Sequence, residues 1–90
     1  MHGEGIAQDY AEAMIWACRS AEQGHFRGEH YVGALYANGW GVPRDPRAAV
    51  MWLERAAKQG AEPSKMTLRN LAASGVPEAA AALRRLRLAP

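Results

Sequence analysis

The sequence predicts an all-α protein, a short right-handed α/α superhelix of about five helices in one domain, residues 1–90. Alanine is abundant and β-branched apolar residues are few, which favours helices over strands. Apolar residues recur at helical spacing between segments that contain Gly and Pro. Residues 3–24 also align with residues 39–60 at a shift of 36, with nine of 22 positions identical. Such a period is typical of a solenoid, whose units stack because none buries its apolar face alone.

The first predicted helix covers about residues 9–23. Asp9 followed by Glu12 has the spacing of a capping box, and Gly24 is suited to end the helix. One face of this helix is expected in the core, and it carries Ala13, Trp16, Ala17, Ser20 and Ala21.

Two helices follow, at about residues 27–38 and 46–59. The apolar face of the second helix carries Gly28, Val32, Leu35 and Tyr36, and Gly39 ends it. The third helix begins with Asp45 as N-cap and Pro46 at the first helical position, where its missing N–H costs nothing. Its predicted core face repeats that of the first helix, with Ala49, Trp52, Leu53, Ala56 and Ala57.

The last two predicted helices cover about residues 63–74 and 77–87. The fourth carries Ser64, Leu68, Leu71 and Ala72 on its inward face and ends at Gly75. The fifth follows Pro77, and its apolar stripe consists of Ala79, Ala82, Leu83 and Leu86.

These motifs resemble the Sel-1-like repeat family, a relative of the tetratricopeptide α-solenoids. The central unit matches the family pattern at Gly33, Tyr36, Gly39, Gly41, Val42, Asp45, Ala49, Trp52, Ala56, Ala57 and Gly60. Gly28 and Val32 stand where alanine and leucine are usual. The resemblance divides the chain into the second half of a repeat (3–24), a complete repeat (25–60), and a degenerate inner helix plus C-terminal capping helix (61–90). Arg69 and Ala72 make that inner helix degenerate.

The resemblance implies an adaptor or scaffold that binds a protein partner without catalysis, in a family with many bacterial members. The inner helices would line a concave binding face, with Arg27, His30, Tyr31, Met66 and Asn70 exposed there. Trp40, in the Gly39-Trp40-Gly41 turn, is a second candidate contact, because aromatic anchors dominate binding energies. The structural alternatives are an ordinary solvated face and local packing of Trp40 over its turn.

Two further hypotheses concern the partner. Ile15 and Met51 are repeat-equivalent apolar residues that lie opposite the alanine faces of their helices, so they suggest self-association. A homodimer would form through the N-terminal side, which has no predicted cap. A different class of function is the binding of a small peptide-like or glycan-like ligand, or an association with the cell envelope, through the same aromatic residues.

Several classes of function are not indicated by the sequence. Cys18 and the three histidines follow no metal-ligand or nucleophile–base spacing, so we expect no metal, no cofactor and no catalytic residue. Arg84, Arg85 and Arg87 complement the dipole of the last helix, and no nucleic-acid binding is predicted from them alone. No apolar run could enter a membrane and no signal peptide is evident, which leaves the compartment open and slightly favours the cytoplasm.

Overall fold

A computed structural model describes the backbone of residues 3–87 and the side chains of residues 10–87. Five helices account for the described fold, and no strand occurs within these residues. They are α1 (Gly3–Glu22), α2 (Phe26–Asn38), α3 (Pro46–Lys58), α4 (Glu62–Ala73) and α5 (Pro77–Arg85). Each helix packs against the next along the chain, and α3 also contacts α5. The predicted all-α helical-repeat class is therefore confirmed.

The residues predicted to end α2 and to begin α3 have those roles in the structure. Gly39 has φ +70° and ends α2 in a left-handed conformation, which favours glycine because no Cβ opposes it. The Asp45 side chain accepts a hydrogen bond of 3.1 Å from the backbone N–H of Ala48, and Pro46 is the first residue of α3. The loop of the complete repeat thus has the caps that its sequence predicts.

The start of α1 differs from the prediction. Asp9 was expected to cap a helix beginning near residue 9, but α1 begins at Gly3 and Asp9 lies within it. In the complete repeat, Pro43 and Pro46 prevent a helix from continuing through the loop, since proline lacks the N–H and restricts the residue before it. The equivalent positions hold Ala7 and Tyr10, which permit helix. The side-chain hydrogen bonds expected of Asp9 lie outside the described side chains.

Two apolar clusters form the core. The larger joins α3, α4 and α5 and has three fully buried leucines, Leu53, Leu68 and Leu83, at its centre. The smaller joins α1 and α2 through Ala17, Ala21 and Val32, and the Trp52 ring of α3 packs against it. Most of the residues predicted for the core are therefore buried or half-buried.

Trp16 is the exception, because 54% of it is exposed although it was predicted to be a core residue. Its repeat mate Trp52 is half-buried because α1 and α2 lie beside it. None of the described helices stands in the corresponding place beside Trp16. The ring consequently lies at the surface of α1.

An ion pair connects α3 to α5. The Arg85 guanidinium donates two hydrogen bonds to the Glu54 carboxylate, at 2.9 Å from Nε and 2.6 Å from Nη2. The Glu54 side chain is only 11% exposed. The hydrogen bonds from Arg85 lower the pKa of Glu54 against the opposing effect of burial. The same pair raises the pKa of Arg85.

This pair predicts a specific dependence of stability on pH. Because the pKa of Glu54 is lower in the folded chain, its stabilising contribution is fully present above the ordinary carboxyl pKa of 4.5 and is lost as the pH falls through the folded-state pKa. We therefore expect Glu54→Gln to lose less Tm than the wild type between about pH 5 and about pH 3. Thermal unfolding followed by circular dichroism measures the Tm of each protein at each pH.

Glu22→Gln is the matched control, because Glu22 is exposed and forms no ion pair with any described residue. Its acid-induced loss of Tm should equal that of the wild type. An equal loss in Glu54→Gln and the wild type would contradict the prediction.

Candidate functional site

Three of the predicted partner-binding residues lie together on α2. Arg27 and Tyr31 are exposed, one helical turn apart, and border two neighbouring hollows. The hollow between α2 and α4 has a volume of about 450 Å³ and includes His30, Ala61 and Pro63. The hollow between α1 and α2 has a volume of about 480 Å³, and it is lined by Trp16, Ser20, His25, Phe26, Arg27 and Tyr31. We call these the α2–α4 hollow and the α1–α2 hollow.

Aromatic rings line the α1–α2 hollow. The Trp16 and Tyr31 rings meet edge to face, with centroids 5.7 Å apart and planes inclined by 70°. About half of each residue is exposed, and Phe26 is also exposed at the start of α2. Edge-to-face contact is a favoured geometry for aromatic pairs and holds both rings in place. The sequence analysis missed Phe26 and placed Trp16 in the core.

His30 links the two inner helices at the base of the α2–α4 hollow. Its Nδ1 is hydrogen-bonded to the Ser64 Oγ at 2.8 Å. Burial lowers the pKa of His30, so the imidazole is neutral near pH 7. Ser64 is fully buried, and its hydroxyl is therefore closed to a substrate. The pair joins α2 to α4.

The two predicted contacts on α4 are exposed but lie outside both hollows. Met66 is 62% exposed, and Asn70, one turn further along, is exposed as well. Neither residue lines the α2–α4 hollow, whose α4 side is formed by Ala61 and Pro63. The structure therefore brings Arg27, His30 and Tyr31 together and leaves Met66 and Asn70 beside them as flanking surface.

Trp40 lies at the opposite end of α2. Its ring stacks on Tyr10 of α1, with centroids 5.0 Å apart and planes inclined by 12°. The same turn approaches α1 closely, because a Cβ built at Gly41 would lie 2.9 Å from the carbonyl carbon of Tyr10. Trp40 is still 44% exposed. One face of the indole thus packs locally, while the rest is available to a partner.

Ile15 and Met51 are exposed, at 56% and 50%, on α1 and α3. These values agree with their predicted placement away from the core. Self-association through them stays a prediction.

A buried carboxylate between α2 and α3 was not predicted. The Glu29 side chain is 3% exposed and accepts a hydrogen bond of 2.7 Å from the Gln59 amide. The Arg55 Nε lies 3.4 Å from its other oxygen, and the Arg55 guanidinium also covers the Trp52 ring at 5.0 Å. The repeat singles out the residues of α3 but not Glu29, since Trp52, Arg55 and Gln59 are all identities of the 36-residue repeat.

Among the described residues, no three or more His, Cys, Asp or Glu side chains are grouped so that they could hold a metal ion. No described helix combines the length and the apolar character needed to cross a membrane.

Comparison with known proteins identifies the family. The family model of the Sel1 repeat matches residues 1–25 and 27–60. Sel1 repeats generally mediate protein–protein interactions and are typically non-catalytic. No curated protein and no solved structure shows significant similarity to the chain. The repeat geometry and the match over two thirds of the sequence establish that this chain belongs to the Sel1 repeat family.

Proposed function

We propose that this chain is a non-enzymatic adaptor or scaffold module that binds a segment of a protein partner across α1, α2 and α4. The observation that carries the proposal is the half-exposed Trp16–Tyr31 pair. Trp16 lines the α1–α2 hollow of about 480 Å³, and Tyr31 borders both this hollow and the α2–α4 hollow of about 450 Å³. Rigid aromatic residues beside concave surfaces are the usual anchors of protein interfaces. They bury a large apolar area and lose little conformational entropy.

The polar groups of this surface favour a partner with carboxylate or carbonyl groups. Arg27 is exposed and forms no ion pair with a described residue, so its guanidinium is available as a hydrogen-bond donor. Neutral His30 is held by Ser64 and contributes an uncharged wall. Met66 and Asn70 would extend the contact along α4, and the exposed part of Trp40 would provide a separate contact at the far end of α2.

A small peptide-like or glycan-like ligand is the second candidate. The hollow volumes lie in the range of small-molecule sites, about 300–1,000 Å³, and aromatic rings line both hollows. The two candidates predict different molecules bound to the chain when it is purified from its source. The first predicts a protein in a fixed stoichiometry, and the second predicts a small molecule that native mass spectrometry detects.

Tyr31→Ala is expected to weaken binding of a captured partner by about tenfold or more, because it removes an aromatic side chain that borders both hollows and contacts Trp16. The partner is first captured by the wild-type chain, then purified, and its Kd is measured for each variant by isothermal titration calorimetry. Circular dichroism verifies that each variant folds.

Arg84→Ala is the control, because it truncates an exposed side chain of α5 that lines neither hollow. Its Kd should equal that of the wild type. Unchanged Kd for Tyr31→Ala would contradict the proposed surface. Loss of binding in Trp40→Ala alone would place the interface at the turn instead.

A further inference from the structure

The Glu29 contact defines a socket on α3 that accepts a helix. The α3 socket consists of Trp52, Arg55 and Gln59, and α2 places the Glu29 carboxylate in it. Gln59 and Arg55 each approach one carboxylate oxygen, at 2.7 and 3.4 Å. The Gln59 hydrogen bond and the Arg55 ion pair together satisfy the nearly buried carboxylate that α2 brings into its contact with α3.

The repeat reproduces the same three residues on α1. Trp16, Arg19 and Gln23 lie 36 positions before Trp52, Arg55 and Gln59 and are identical to them. All three are exposed, and the side chains of Arg19 and Gln23 form no hydrogen bond or ion pair with a described residue. We call this group the α1 socket. Its counterpart on α3 is filled by a glutamate on a helix, whereas no described helix covers the α1 socket.

We propose that the α1 socket binds an α-helix of a protein partner that carries a glutamate followed four residues later by a small residue. The proposal rests on the proposed function and specifies its partner. The glutamate would occupy the place that Glu29 has on α3, between Arg19 and Gln23. The interaction combines charge complementarity with the continuation of a helix–helix contact that the protein already contains.

The small residue follows from the close approach of α2 to α3. A Cβ built at Gly33, four residues after Glu29, would lie 2.6 Å from the Leu53 Cγ and 3.1 Å from the Ala49 carbonyl oxygen. On α1, Ala13 repeats Ala49, so an incoming helix in the same register meets the same backbone carbonyl. Ala17 stands in the place of Leu53, so the carbonyl is the obstacle that remains there. A large residue at this position would hold the helix away from Arg19 and Gln23.

The described helices of a second copy do not offer this pair of residues on an accessible face. In α5, Glu78 is followed four residues later by Ala82, but Ala82 is fully buried and Glu78 pairs with Arg47. In α4, Lys65 and Arg69 stand 36 positions after Glu29 and Gly33, so α4 would bring a positive charge to Arg19 and a long side chain to the close approach. The α2 helix of a second copy already places its glutamate against Arg55 and Gln59. The charges and side-chain sizes of these helices therefore favour a helix from a different protein.

A peptide provides the test, because α2 itself has the required sequence. The probe is a fluorescein-labelled peptide of residues 25–38 with the substitutions Arg27→Lys and Tyr31→Asp, at two positions that are exposed in the intact protein. A lactam bridge between these two side chains holds the peptide helical. Fluorescence anisotropy measures its affinity for the 90-residue chain. We expect saturable binding, and we expect Arg19→Glu to weaken it by about tenfold or more.

Charge reversal identifies the contact. The probe with Glu29→Lys should bind the wild-type chain as weakly as the original probe binds Arg19→Glu, and the two reversed charges together should recover most of the affinity. Arg84→Glu is the matched control, because it makes the same change of charge on the exposed face of α5. It should leave the affinity unchanged. A general effect of the substitutions on folding would not restore the affinity. Recovery of the affinity therefore indicates a direct contact between position 19 of the chain and position 29 of the probe.

Three results would overturn the α1 socket: no saturable binding to the wild-type chain, equal affinity for Arg19→Glu, or no recovery with the reversed pair. These outcomes are separate from failure of the proposed function. A captured partner that depends on Tyr31 and binds Arg19→Glu normally would support the hollows and overturn the socket. A partner that depends on Arg19 and is indifferent to Tyr31→Ala would support the socket and overturn the proposed surface.

Discussion

Leu53→Ala is expected to lower the free energy of unfolding by about 3 kcal/mol. Leu53 is fully buried in the larger cluster, and its side chain also fills the space in front of Gly33. Truncation removes apolar contacts and leaves a cavity, because α2 cannot move closer while the Glu29 contact fixes its distance from α3. A domain of this size has a total stability of only about 5–10 kcal/mol, so this loss is about a third to two thirds of the total.

Urea denaturation followed by circular dichroism measures the effect. Met51→Ala is the control, because Met51 lies on the same helix but is 50% exposed. Its free energy of unfolding should remain within about 0.5 kcal/mol of the wild type. Equal stability of Leu53→Ala and Met51→Ala would show that α3 does not pack as described.

Gly28→Ala is expected to destabilise the protein by about 2 kcal/mol, although alanine is the better helix former. A Cβ at Gly28 would lie 2.5 Å from the Ser20 Cβ and 2.6 Å from the Ala21 backbone nitrogen. Backbone atoms of α1 cannot turn aside as the end of a long side chain can, so α1 and α2 must separate. The separation would also disturb the cluster of Ala17, Ala21 and Val32.

The double variant Ser20→Gly/Gly28→Ala tests this cause. Removing the Ser20 side chain eliminates one of the two obstacles, so Gly28→Ala should cost less in this background than in the wild type. Chemical denaturation of the four proteins provides the comparison. An equal cost in both backgrounds, or a gain of stability in the single variant, would contradict the close approach of the helices.

The sequence was a good guide to the fold because repeat period, helix caps and apolar spacing all indicate the same helices. It failed at the start of α1, where Asp9 and Glu12 suggested a helix N-terminus and the absence of proline allowed the helix to begin earlier. It also failed for Trp16, because the spacing of a residue shows which helix face it occupies but not whether another helix covers that face. Exposure depends on neighbours, which a local pattern does not contain.

The candidate site was predicted in part for the same reason. Arg27, His30 and Tyr31 could be assigned to one face of α2 from helical geometry, and the structure places them beside the two hollows. The pairing of Glu29 with Gln59 and Arg55 could not be assigned, since it depends on the register between α2 and α3. Once that register is known, the identity of the repeat extends it to Arg19 and Gln23 on α1.

The three tryptophans give this chain three distinct optical reporters. Trp52 is half-buried beneath a guanidinium, Trp40 is stacked on a phenol ring, and Trp16 faces solvent beside Tyr31. In single-tryptophan variants, each indole would therefore fluoresce in a different environment. The emission wavelength and the quenching of each signal would report on one place in the molecule. Occupation of α1 could be observed through Trp16 alone, without any label, while the other two indoles report whether the rest of the protein has changed.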